Sequence, residues 1–198
     1  MRIDLLGQAV CAEAGVLTSD TIWNLKELPR RLVVLGGGPI GSELAQSFAR
    51  LGSQVTQVEM APRVLVREDP EVSALVAASL REDGVAVLTG HEALRVEVTG
   101  EGKRLIARHE GREVAIPFDE LLCAVGRSPR VTGYGLEELG MPLTPRKTIQ
   151  TDAYLRTHFP NIYAVGDVAG PYQFTHTAAH QAWYAAVNAL FGRVRRFK

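Results

Sequence analysis

Residues 32 to 65 read LVVLGGGPIGSELAQSFARLGSQVTQVEMAPRVL, and few folds accommodate that order of features. Leu32 to Leu35 is an apolar run long enough for a buried strand. Gly36-Gly37-Gly38-Pro39-Ile40-Gly41 is a tight glycine turn. Ile40, Leu44, Ala45, Phe48 and Leu51 then recur on one helical face, and Gly52 is the stop. A second strand, Gln54 to Val58, ends in Glu59. Strand, G-x-G-x-x-G, helix, strand and acid follow one another in the context that gives this motif its meaning, a dinucleotide-binding fingerprint.

Each position has a physical task. Gly36 permits the tight turn. Gly38 lacks a Cβ, so the backbone can approach a pyrophosphate, and Gly41 lets helix and strand pack closely. The helix that opens at Pro39 and Ile40 offers unpaired N–H groups and partial positive charge to phosphates. Glu59 lies 21 positions after Gly38, near the spacing expected for a carboxylate that accepts from a ribose 2′-OH. A 2′-phosphate would be repelled there, which favours NAD over NADP. Arg63 is near enough in sequence to weaken that preference.

The 198 residues suffice for one large domain or two small ones, and a hydrophobic content of 46% supports a proper core. Lys+Arg and Asp+Glu balance at 22 each, so nothing points to nucleic acid. The basic tail, Arg193 to Lys198, reads as a solvated end. No apolar run approaches the ~20 residues of a membrane span. The N-terminal stretch makes a poor signal peptide. The expected location is cytoplasmic. Cys11 and Cys123 are far apart and form no C-x-x-C pair. Cys123 sits in an apolar strand and reads as a buried thiol, while Cys11 falls in a leader.

Along the chain, residues 1 to 17 carry no strong periodicity, and Ser19-Asp20 caps a short helical turn, Thr21 to Leu25. Asp69-Pro70-Glu71 starts a second helix whose buried face is Val72, Leu75, Val76 and Leu80. Val85 to Leu88 is a third strand. Leu94 to Val98, Lys103 to His109 and Arg112 to Ile116 read as an antiparallel meander covering one face of the main sheet. Asp119 to Val125 returns as a buried strand stopped by Gly126. Residues 127 to 150 are a connection in which Leu136 to Leu139 form one helical turn. Asn161 to Val165 reads as a last strand ending at Gly166-Asp167. Residues 178 to 191 are helical, with Ala179, Trp183, Ala186, Val187 and Leu190 on one face. The fold class is α/β: a Rossmann-like parallel sheet with helices and an inserted antiparallel β-meander, then a partial return segment. The domains expected are a leader at 1–28, a nucleotide-binding domain at 29–148 and the return segment at 149–198.

Three further stretches carry a family resemblance. Ala124-Val125-Gly126-Arg127-Ser128-Pro129 resembles an A-T-G-R-x-P segment. Thr151-Asp152 with Leu155-Arg156-Thr157 resembles the approach to a final flavin-domain strand. Ile162 to Val168, with Gly166-Asp167, resembles a second flavin motif. Together with Gly36 to Glu59 they resemble the FAD-dependent pyridine nucleotide-disulfide oxidoreductases, in particular the mercuric reductase and dihydrolipoamide dehydrogenase branches, over residues 18 to 192. The resemblance implies that Gly36, Gly38, Pro39, Ile40, Gly41 and Glu59 hold NAD. It places Glu43 near the nicotinamide, and Gly126 and Arg127 beside the cofactor. It implies that Asp167, after Gly166, accepts from the ribityl chain of FAD, and that the helix start with Thr175 and Ala178 lies beside the flavin ring. His176 and His180 are four apart, but no third ligand is evident, so no metal site is expected.

The departures are equally informative. Family members place an FAD-binding domain and a redox-active cysteine pair before such a segment. They follow it with a dimerisation domain carrying a catalytic His. This sequence contains neither, and Arg130 stands where the family usually has Asn. The resemblance therefore implies the NAD-binding part of a larger hydride-transfer enzyme, not catalytically competent alone. Its strand at 161–165 would be unpaired, and it would self-associate as a homodimer through the C-terminal segment. A stand-alone NAD-binding redox sensor and an interaction protein that docks through the 161–165 edge are the competing readings.

Overall fold

The computed structural model describes residues 14–127, 129–192, 194, 196 and 197. The readings of Cys11, Ser128, Arg193, Arg195 and Lys198 lie outside the described residues. The chain divides into two compact units after Arg127. The expected boundary at 148/149 thus falls inside the second unit.

The first unit is built on a four-stranded parallel sheet. Its strands are β1 (Arg31–Leu35), β2 (Gln54–Glu59), β3 (Ala86–Thr89) and β7 (Glu120–Cys123), in the order β3-β2-β1-β7. Strand β1 is a near-continuous apolar run because both of its faces are covered. Val33 and Leu35 point to one side, with Val58, Leu121 and Cys123, and meet Val96, Leu105, Ile116 and Phe118 of the meander. Leu32 and Val34 point to the other, with Val55 and Leu122, and meet Ala45, Phe48 and Leu80 of the helical layer. The meander itself is β4 (Glu92–Thr99), β5 (Gly102–His109) and β6 (Arg112–Phe118), antiparallel in that order.

Helix α1 spans Pro39–Arg50, with Gly38 as its N-cap and proline in its first turn. Leu51 lies beyond its end and is exposed. Helix α2 (Pro70–Glu82) is rotated from the expected face. Ser73 and Leu80 are buried, whereas Val72 and Leu75 are exposed. The cause is a polar one: the Ser73 hydroxyl donates to the Val64 carbonyl at 2.6 Å, so this side chain takes the inward position. Strand β7 stops at Cys123 rather than Val125, because its partner β1 ends opposite Cys123. Residues 14–17 are more ordered than their lack of periodicity suggests. Ala14 is fully buried, and Leu17 forms a parallel bridge with Leu122.

The second unit has its own small core, in which Met141, Ile149 and Ala164 pack with Val131, Leu136, Phe159, Ile162 and Val168. Residues 136–141 make the expected helical turn, with the Met141 N–H donating to the Leu136 carbonyl at 3.1 Å. The expected strand at 161–165 does not form. Tyr163 makes a single antiparallel bridge with Arg156, because the described residues supply no other partner strand. Helix α3 (Thr175–Phe191) begins one turn earlier than expected. Its buried stripe is Gln181, Ala185 and Asn188. Of the expected apolar face, Val187 is half-buried, Ala179 and Ala186 are exposed, and Trp183 and Leu190 are 53% and 76% exposed.

Candidate functional site

The carboxyl ends of β1, β2 and β7 converge, which is where open α/β sheets place their ligands. The chain leaves β1 through Gly36, whose φ of +116° is a glycine conformation. Its N–H donates to the Val58 carbonyl at 2.8 Å. A Cβ here would meet the Ala124 carbonyl oxygen at 2.5 Å, so the backbone after β7 walls this side of the turn. A Cβ on Gly41 would meet the Gly36 carbonyl oxygen at 2.3 Å, which is the close approach between helix and turn. A Cβ on Gly38, in contrast, would meet nothing within 4 Å. Gly38 faces open space at the helix N-terminus. The N–H groups of Gly38, Ile40 and Gly41 have no acceptor among the described residues.

Glu59, at the end of β2, turns back onto this loop. Its Oε2 accepts from the Gly37 N–H, and its Oε1 accepts from the Ala61 N–H at 2.7 Å. Each carboxylate oxygen has a further lone pair. Arg63 is engaged elsewhere: its guanidinium donates to the Glu68 carbonyl at 2.7 Å and to the Val66 carbonyl at 3.1 Å. Glu43 is exposed on the first turns of α1. Gly126 is exposed with a φ of +136°, and a Cβ on it would meet nothing within 4 Å; Arg127 follows, exposed. Cys123, one turn of chain earlier, is buried, and that burial pushes its thiol pKa up. A thiol in that state is a poor nucleophile.

One residue at this site escaped the sequence reading. Gln57 is fully buried in β2. Its Nε2 donates to the Gly36 carbonyl and to the Ser42 hydroxyl, both at 3.1 Å. Its Oε1 has no hydrogen-bond partner among the described residues, a state that costs about 1–3 kcal/mol. The available signal was a polar residue in a strand covered on both faces, two positions before the acid.

Gly166, Asp167, Thr175 and Ala178 belong to the second unit, apart in the chain's division from the glycine turn. Gly166–Val168 is a 3-10 turn with Asp167 half-buried in it. A Cβ on Gly166 would stand 3.3 Å from the Ala178 Cβ, so this turn packs against the first turn of α3. Gln181 locks the arrangement. Its Oε1 accepts from the Gly166 N–H at 2.6 Å, and its Nε2 donates to the Gly170 carbonyl at 3.3 Å. The apolar period of α3 gave no hint of this, because the buried stripe is the polar one. Among the described residues no group of three or more His, Cys, Asp or Glu is placed to hold a metal ion. No helix among them is long and apolar enough to cross a membrane.

The fold has counterparts among known proteins. A family model described as pyridine nucleotide-disulphide oxidoreductase matches residues 3–182. The mercuric reductase of Bacillus cereus is 39% identical over 180 residues, covering 91% of this chain and 28% of that protein. The dihydrolipoyl dehydrogenase of Thermus scotoductus is 41% identical over 164 residues, covering 82% and 36%. Among solved structures, the Cu(II) complex of the HOCl-induced flavoprotein disulfide reductase RclA from Escherichia coli matches with a TM-score of 0.82 at 34% identity. That match covers 95% of this chain and 42% of the other. The chain therefore spans well under half the length of the relatives it matches. Family model, relatives and solved structures agree that the chain belongs to the pyridine nucleotide-disulphide oxidoreductases, whose members use FAD and NAD(P)H.

Proposed function

We propose that the carboxyl edge of β1, β2 and β7 binds NAD(H), as the dinucleotide-binding part of an FAD-dependent oxidoreductase. The observation that carries this reading is the pairing of an open Gly38 with a Glu59 pinned beside it. The fit to the ligand is chemical. Unpaired N–H groups at the start of α1 suit a pyrophosphate. The outward lone pairs of Glu59 suit the two hydroxyls of an adenosine ribose. A 2′-phosphate would meet that carboxylate, while Arg63 is already held by two carbonyls of its own loop. The preference is therefore for NAD over NADP.

When bound, FAD would supply two-electron chemistry, linking the nicotinamide to a disulfide/dithiol couple or to a metal-ion acceptor of electrons. This chain's own residues position what reacts. Glu43 and the segment at Gly126 and Arg127 border the dinucleotide. Asp167 accepts from the ribityl hydroxyls, and Thr175 and Ala178 present the N-terminal end of α3 to the flavin ring. The second unit thus acts as one wall of a flavin site. The exposed stripe Ala179, Trp183, Ala186 and Leu190 serves as a self-association surface.

The test is direct titration of the purified chain with NADH and with NADPH, followed by nicotinamide fluorescence. NADH binding at least about tenfold tighter than NADPH binding is expected. Equal affinities would overturn the preference, and no binding of either would overturn the reading. Titration with FAD in the same experiment reports whether the second unit holds flavin.

A further inference from the structure

One peptide unit of the glycine turn is held at both ends from a single strand. The Gly36 carbonyl accepts from Gln57, and the N–H of Gly37, the other end of that same peptide, donates to Glu59. Gln57 and Glu59 are two apart on β2 and so share a face. The second N–H of the Gln57 amide goes to Ser42, in the first turns of α1. One side chain therefore ties strand, turn and helix together. It does so at a standing cost, since its Oε1 is buried without a partner. An apolar side chain of the same shape would remove that cost and leave the Gly36 carbonyl without its donor in exchange.

We infer that Gln57 is a positioning residue for dinucleotide binding. It fixes the plane of the Gly36–Gly37 peptide, and through it the direction in which Glu59 and the open Gly38 face the ligand. If this peptide turned over, the carbonyl of Gly36 would face the Glu59 carboxylate and the donor that pins it would be lost. A residue kept for packing alone would have no reason to leave an acceptor orphaned in the core. The inference rests on the NAD(H) reading of this edge.

The experiment compares the full chain with Gln57→Met and Ser42→Ala, by NADH titration and by thermal melting. Gln57→Met removes one orphaned acceptor and leaves the Gly36 carbonyl without its donor, so it is expected to melt close to the parent while its Kd for NADH rises roughly tenfold, the worth of one preorganising hydrogen bond. An NADH Kd within about twofold of the parent would overturn the inference. If Gln57→Met does not fold, Ser42→Ala decides, because it loosens the same amide and leaves the Gly36 bond in place. A rise of about threefold in its Kd supports the inference, and no change overturns it. A parent chain that binds no NADH would instead fail the reading of the site, and the inference with it.

Discussion

A methyl group placed on Gly37 would stand 2.9 Å from the Oε2 of Glu59. The Glu59 Cγ and Cβ lie at 2.9 and 3.0 Å as well, so the base of that side chain must shift along with its carboxylate. Gly37→Ala is therefore expected to lose some stability, less than a backbone clash would cost, and to bind NADH roughly 10- to 100-fold more weakly, the worth of a hydrogen bond to a charged group. Gly36→Ala meets a backbone carbonyl at a positive φ instead. It should cost about 3 kcal/mol of stability. Thermal melts and NADH titrations of the two variants separate these outcomes.

Discrimination between NADH and NADPH should follow Glu59 and ignore Arg63. Glu59→Ala is expected to weaken NADH binding and to bring the two affinities together. Arg63→Ala removes a side chain bonded to Val66 and Glu68 carbonyls. It should leave the ratio within about twofold of the parent.

The starts of β1 and β7 are joined by Arg31 and Asp119. The Asp119 carboxylate accepts from the Arg31 backbone N–H at 2.8 Å and from its guanidinium at 2.6 and 3.1 Å. These hydrogen bonds hold its pKa below the usual range. A carboxyl depressed in the folded state contributes stability that is fully present above its unfolded pKa, about 3.9, and is lost as pH falls through the folded value. Asp119→Asn should thus melt below the parent at pH 7, and the gap should close as the buffer is taken below about pH 4.

Gln181 holds the turn that carries Asp167. Gln181→Leu leaves the Gly166 N–H without its acceptor and should cost about 1–3 kcal/mol, felt in the second unit. Amide exchange resolved by residue is the measurement: protection should fall across 162–190 and persist in β1 and β2. Uniform loss across both units would mean that they unfold together.

The outer stripe of α3 should govern association. Trp183→Glu or Leu190→Glu places a charge on an exposed side chain and should leave the fold unchanged. Both should shift the chain toward monomer in sedimentation, if the parent self-associates through this face as proposed. A parent that stays monomeric at high concentration would remove the proposal.

The first unit was legible in the sequence wherever a steric demand fell on one kind of residue. Gly36 and Gly41 each lie against backbone that leaves no room for a Cβ, so the glycines announce the turn. The unbroken apolar run of β1 announces two covered faces. The hidden parts are those in which a polar side chain does the packing. Ser73 turned α2 by one position through a bond to a loop carbonyl, and Gln181 with Asn188 took the inner stripe of α3. Hydrophobic periodicity assigns such positions to solvent. The strand expected at 161–165 failed for a different reason. A strand is a property of its neighbours, and among the described residues only the short segment at 155–157 lies opposite it.

The wall against Gly36 is the carbonyl of Ala124, and Ala124 in turn donates its N–H to Leu35 at 2.7 Å. Between the glycine turn and that wall lies the whole meander. The β1-α1-β2 unit can assemble from neighbouring residues, but its cradle is finished only when β7 arrives from the far side of an inserted sheet. Contacts of such long sequence separation form late. A nascent chain that has reached residue 119 already carries the entire fingerprint, with its turn pinned from β2 by Gln57 and Glu59, and still lacks the wall that the chain after β7 supplies.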